Sequence, residues 1–157
     1  MTFKDFIAKI FGIKPEVIIQ YQSVQITQPL ILGQITISEL AKILQPYAKE
    51  IYLSDNVFML TSVNEAKKFT QKTMVSQANY SSEGHDCDNF SFALMGYWSE
   101  ELSSFAFGIA WSGVHAFNWM VNDAKQLWVC EPQTNNWITI SEAQKQDIYK
   151  DWRFSLC

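Results

Sequence analysis

Between Phe105 and Trp111, large and small side chains alternate without a break: Phe105, Phe107, Ile109 and Trp111 are separated by Ala106, Gly108 and Ala110. Successive side chains of a strand point to opposite faces, so this run reads as a strand. Ser112-Gly113 marks a turn. Val114 to Val121 and Gln126 to Glu131 then read as two further strands, joined by Asn122-Asp123-Ala124-Lys125. Three strands with short links commit the second half of the chain to an antiparallel sheet.

The segment before this sheet has a different period. Phe90, Leu94, Tyr97, Trp98 and Leu102 recur at helical spacing, and Asp86 stands where an N-cap belongs. Cys87 is then the first helical residue. Further upstream, Ser62-Val63-Asn64-Glu65 matches a capping box and predicts a helix to about Lys72. Ser38 can cap a helix through Leu44, which Pro46 interrupts. Ile51 to Leu53 suggests a short strand. Residues 76 to 86 read as a polar loop. Trp137 to Ile140 suggests a last short strand, and Glu142 to Trp152 a final helix. The expected class is therefore α+β, with the cysteine-bearing helix packed on an antiparallel sheet.

The ends of the chain read separately. Phe3, Phe6, Ile7, Ile10 and Phe11 place an amphipathic helix over residues 3 to 12, packed on the domain or a partner, with a membrane-surface anchor as the alternative. Residues 14 to 36, with Pro15 and Pro29, read as irregular or extended lead-in. The domain proper is expected over residues 37 to 157. With 157 residues, 48% of them apolar, there is enough material for one hydrophobic core. A net charge of -4 excludes a broad nucleic-acid surface. No apolar run reaches the roughly 18 residues of a membrane span. Lys4, Asp5 and Lys9 interrupt any signal peptide. Three widely spaced cysteines, Cys87, Cys130 and Cys157, give neither a disulfide framework nor a Cys-x-x-Cys metal pair, so the expected compartment is the reducing cytoplasm.

Chemistry is concentrated in Cys87, His115 and Glu131. A thiol at a helix N-terminus beside an imidazole is the arrangement of an activated nucleophile. An acid on a neighbouring strand can hold that imidazole in one tautomer and orientation. Asp86 and Asp88 work against a thiolate, because adjacent negative charges disfavour a third. His85 is the rival base, set in the polar loop. A zinc site on His85, Cys87 and His115 lacks an evident fourth ligand. Gln133 shares a face with Glu131 and is the rival orienting group. By strand alternation Asn118 faces away from His115 and Cys130 away from Glu131, so both read as structural. A second donor beside the Cys87 N–H would come from Gln77, Asn79 or Tyr80.

Asp86-Cys87-Asp88-Asn89-Phe90, His115-Ala116-Phe117-Asn118 and Glu131-Pro132-Gln133-Thr134 together resemble a small papain-like family. It is named for the C-terminal domain of the fairy-ring mushroom agglutinin and includes phage and bacterial proteins described as lectin-related. The resemblance covers roughly residues 38 to 140. It implies a papain-like cysteine protease fold with Cys87, His115 and Glu131 as nucleophile, base and orienting acid. The agglutinin's sugar-binding trefoil has no counterpart here, so the resemblance implies no carbohydrate binding, and Ser81 replaces the papain-type glutamine. Calcium is implied by the resemblance alone; no other cofactor is expected.

The expected function is hydrolysis of a peptide or other amide bond through an acyl-enzyme on Cys87. A catalytically inactive papain-like interaction module, of phage or prophage origin, is the alternative. Acyl transfer to an amine is a third.

Overall fold

The computed structural model describes residues 28–100 and 104–157. The expected helix over residues 3 to 12, the lead-in through residue 27, and Leu102 lie outside these residues. The elements run β1 (Gly33–Thr36), α1 (Ile37–Leu44), β2 (Ala48–Tyr52), β3 (Val57–Leu60), α2 (Val63–Lys72), α3 (Cys87–Ser99), β4 (Phe107–Trp111), β5 (Ala116–Val121), β6 (Leu127–Glu131), β7 (Asn136–Thr139), α4 (Ile140–Ala143) and β8 (Trp152–Leu156).

β4, β5, β6 and β7 form an antiparallel meander, as the alternating pattern requires. Ile109 faces Asn118, and Asn118 faces Cys130. The sheet does not stop there. Its full order is β2-β8-β4-β5-β6-β7, and β2 runs parallel to β8. β1 and β3 pair separately.

The expectation of a papain-like fold, with the cysteine-bearing helix packed on an antiparallel sheet, is therefore corrected. The large sheet has six strands and is mixed. The physical reason lies at the C-terminal end. Residues 142 to 152 do not form one long helix. α4 closes after four residues, and a short 3-10 turn follows at Asp147–Tyr149. The chain then enters the sheet as β8 between β2 and β4. Trp152 is wholly buried there, and its indole N–H donates to Tyr149 O at 2.8 Å. Burying a large aromatic side chain contributes about 2–3 kcal/mol, more than local helix propensity supplies over a few residues.

Caps elsewhere set the boundaries. Thr36 and Glu39 close a reciprocal capping box, so α1 begins one residue before Ser38, the cap expected from the sequence. Ser62 caps α2 by accepting from Glu65 N at 3.2 Å. α3 buries Phe90, Leu94 and Trp98, while Tyr97 is partly exposed at the edge of the stripe.

Both faces of the large sheet are covered. Phe117, Trp119, Val121, Val129 and Trp152 join Leu40, Leu44 and Tyr149 in one cluster. Met120, Cys130 and Trp137 join Phe69, Phe90, Leu94 and Trp98 in the other. This is why β5 is buried at every position. α3 lies against β4 and β5. Asn118 ties them together, its Nδ2 donating to Ser91 O at 3.0 Å and Gly108 O at 3.2 Å. Gly108 permits a close approach: a Cβ there would come within 2.2 Å of Leu156 O and 2.5 Å of the Trp119 ring. Among the described residues no helix is long and apolar enough to cross a membrane.

Candidate functional site

The start of α3 and the turn between β4 and β5 meet in an open cleft of about 320 Å³. Its lining includes Asp86, Cys87 and Asp88 from the helix, Trp111 through Ala116 from the turn, and Arg153 and Phe154 from β8. Two of the three residues singled out from the sequence, Cys87 and His115, thus share one cleft, and Glu131 stands behind His115.

The turn is clamped by one hydroxyl. Ser112 Oγ accepts from Val114 N at 3.2 Å and His115 N at 3.0 Å, and donates to His115 O. His115 is the residue immediately before β5, its ring 6.0 Å from that of Phe117 on the same face. Its Nε2 donates to Glu131 Oε2 at 2.6 Å. Glu131 is buried at the end of β6 and takes two more donors: the Tyr149 hydroxyl at 3.0 Å and its neighbour Gln133 N at 3.4 Å. Burial, then the Glu131 charge and hydrogen bond, push the Tyr149 phenol well above its ordinary range. Three donors on one carboxylate fix the imidazole and leave Nδ1 without a partner among the described residues.

The opposite wall is polar and half-exposed. Asp86 N donates to Asn89 Oδ1 at 3.1 Å at the helix start, and Ser91 Oγ donates to Cys87 O at 2.8 Å. The Asp88 carboxyl is raised above its usual range, first by its hydrogen bond with Asp86 and then by partial burial. Two carboxyls at hydrogen-bond distance favour holding one proton between them. No hydrogen bond joins Cys87 to His115. Between the walls runs an aromatic ledge. Trp111 stacks on Phe154 with centroids 4.5 Å apart and planes 20° apart, and Phe92 leans on Trp111 at 5.2 Å.

The other sequence candidates lie elsewhere. His85 bridges to Ser81 in the loop and rests its ring 4.5 Å from Phe90. The Gln133 side chain does not reach His115; its Nε2 is buried without a partner. Gln77, Asn79 and Tyr80 are outside the cleft lining. Cys130 is in the core, and burial raises its thiol well above the ordinary value. Among the described residues no cluster of three or more His, Cys, Asp or Glu side chains is arranged to hold a metal ion. Sequence reasoning missed Tyr149 and Arg153. Neither belongs to a local motif, and both are brought to the site by the final strand and the turn before it.

No protein-family model and no curated protein matches the chain. Among solved structures it is similar to the PSL1a–E64 complex, with a TM-score of 0.66 and 20% identity over 79% of this chain and 51% of that one. It is also similar to the Polyporus squamosus lectin bound to the human-type influenza-binding epitope Neu5Acα2-6Galβ1-4GlcNAc, with a TM-score of 0.63 and 22% identity over 79% and 49% of the two chains. The chain thus spans about half the length of these structures. This chain shares its fold with about half of each of these chains, which retains the agglutinin part of the sequence resemblance and overturns its papain-like fold. On the same finding the cysteine-hydrolase expectation gives way, together with its acyl-enzyme on Cys87, its peptide or amide substrate and the inactive papain-like module offered as its alternative.

Proposed function

We propose that this domain binds a carbohydrate in the cleft at the start of α3. The observation that carries the reading is the Trp111–Phe154 stack lining the cleft beside Asp86, Asp88 and His115. A sugar ring has an apolar C–H face and a rim of hydroxyls, and it needs both kinds of surface in one place. The exposed face of an aromatic ring supplies the first. Asp86 and Asp88 supply acceptors, and His115 Nδ1 supplies one more when Nε2 carries the ring proton. Glu131 acts from behind by fixing the imidazole. The likeness to a lectin, one structure of which holds a sialylated trisaccharide, supports the same reading.

The test is binding of the full chain to a glycan panel, read together with iodoacetamide labelling. Cys87 is half-exposed in the cleft while Cys130 and Cys157 are buried. Burial pushes the Cys157 thiol up to about 12. Native labelling is therefore expected at Cys87 first. A bound glycan should slow that labelling, and Trp111→Ala should weaken binding about tenfold or more. A panel with no binder, or a binder that leaves Cys87 labelling unchanged, would overturn the proposal.

A further inference from the structure

A second cavity adjoins the cleft, lined by Lys49, Gly113, Val114, Asp147, Lys150, Asp151 and Arg153. Gly113, Val114 and Arg153 line both cavities, so the two form one groove with these residues at the joint. The Arg153 guanidinium lies over Gly113: a Cβ on that glycine would stand 3.8 Å from its Nη2.

The charges along the groove are uneven. Asp86 and Asp88 line the cleft only, and Lys49 and Lys150 line the second cavity only. Lys150 is paired with Asp147 at 2.8 Å. Arg153 and Lys49 have no ion pair among the described residues, which leaves two cations facing one carboxylate, Asp151, in the second cavity. A guanidinium offers two parallel N–H donors to a planar or tetrahedral anion, and Lys49 adds a point charge.

Resting on the carbohydrate reading above, we infer that the groove selects an acidic glycan. The sugar ring lies on the Trp111 ledge, and its carboxylate or sulfate is held by Arg153 and Lys49. The ligand is oriented by charge. Its anionic group would be repelled by Asp86 and Asp88, so it points across the Gly113 joint into the second cavity. Its hydroxyls remain on the carboxylate side. Val114, 78% exposed at the joint, leaves this crossing open to solvent.

Titration calorimetry with three probes tests the inference: Galβ1-4GlcNAc, its 6-sulfated form, and Neu5Acα2-6Galβ1-4GlcNAc. The two acidic probes should bind about tenfold more tightly than the neutral one, with the preference shrinking as salt is raised. The stronger of the two tells whether sulfate or carboxylate suits the site. Arg153→Gln should bring the acidic-to-neutral affinity ratio towards one, and Lys49→Gln should lower it less. The exposed position of both residues keeps folding intact, which the thermal melt checks. Equal affinity for all three probes, or a preference that survives Arg153→Gln, would overturn the inference and leave carbohydrate binding standing. If none of the three binds and the wider panel is also silent, the carbohydrate reading fails and the inference with it.

Discussion

The two walls of the cleft are built on opposite principles. The His115 wall is largely buried and saturated with hydrogen bonds: Glu131 at the end of β6 takes donors from His115, just before β5, and from Tyr149, in the turn before β8. The Asp86–Cys87–Asp88 wall is a helix start with half-exposed carboxyls, where the hydrogen bond from Asp86 raises the Asp88 pKa. A saturated, buried group is held in one geometry, because leaving any partner unpaired costs free energy. An exposed charged pair is free to rearrange, because water replaces any contact it loses. The comparison assigns position to one wall and adaptability to the other, a useful division for a ligand whose hydroxyl pattern varies.

The comparison breaks most completely if the sheet beneath the rigid wall is deformed. Gly108→Ala places a methyl against Leu156 O and the Trp119 ring. It should destabilise the fold by about 3 kcal/mol or more, read as a large fall in the thermal midpoint. An unchanged midpoint would mean that β4, β5 and β8 are not in the register described.

Removing the acceptor itself comes next. Glu131→Ala strands the His115 Nε2–H and the Tyr149 hydroxyl in a buried site and should cost about 2–4 kcal/mol in chemical denaturation. Tyr149→Phe removes one donor and leaves the His115 bond, so its cost should be about 1 kcal/mol. If Tyr149→Phe proved as damaging as Glu131→Ala, the phenol rather than the carboxylate would be the brace.

The smallest effect is expected on the adaptable wall, and its sign is opposite. Asp88 has a raised pKa in the folded chain, so its stabilising share is fully present below the unfolded value of about 3.9 and is lost as pH rises through the folded value. At neutral pH the pair is therefore a net repulsion. Asp88→Asn should stabilise the protein by a few tenths of a kcal/mol at pH 7, about 0.3 given its exposure, and the gain should shrink towards pH 3.5. Denaturant curves at the two pH values check this. A loss of stability at pH 7 would show that Asp88 is a structural acceptor, and the contrast between the walls would narrow.

The same contrast explains what was readable in the sequence. The β4–β5–β6 meander follows from residues 105 to 131 because neighbours in sequence are neighbours in the sheet. The start of α3 follows from Asp86 and the Phe90–Leu94–Trp98 spacing, since a cap and an apolar stripe act over one or two turns. The position of His115 beside Glu131 follows from adjacent strands. The β8 strand was hidden, because residues 142 to 152 carry helix-compatible spacing and the pairing that overrides it lies about a hundred residues away, at β2. Tyr149 and Arg153 were hidden for the same reason.

By itself, the sequence determined the local elements and the chemical inventory at positions 87, 115 and 131, because capping, alternation and turn chemistry depend on nearby residues. Only the tertiary structure decided that the sheet is mixed, that a tyrosine completes the brace behind His115, and that the cleft continues past Gly113 to Arg153 and Lys49. Each of these depends on where the final strand docks, and docking is set by burial of Trp152 and its neighbours against residues far away in the chain.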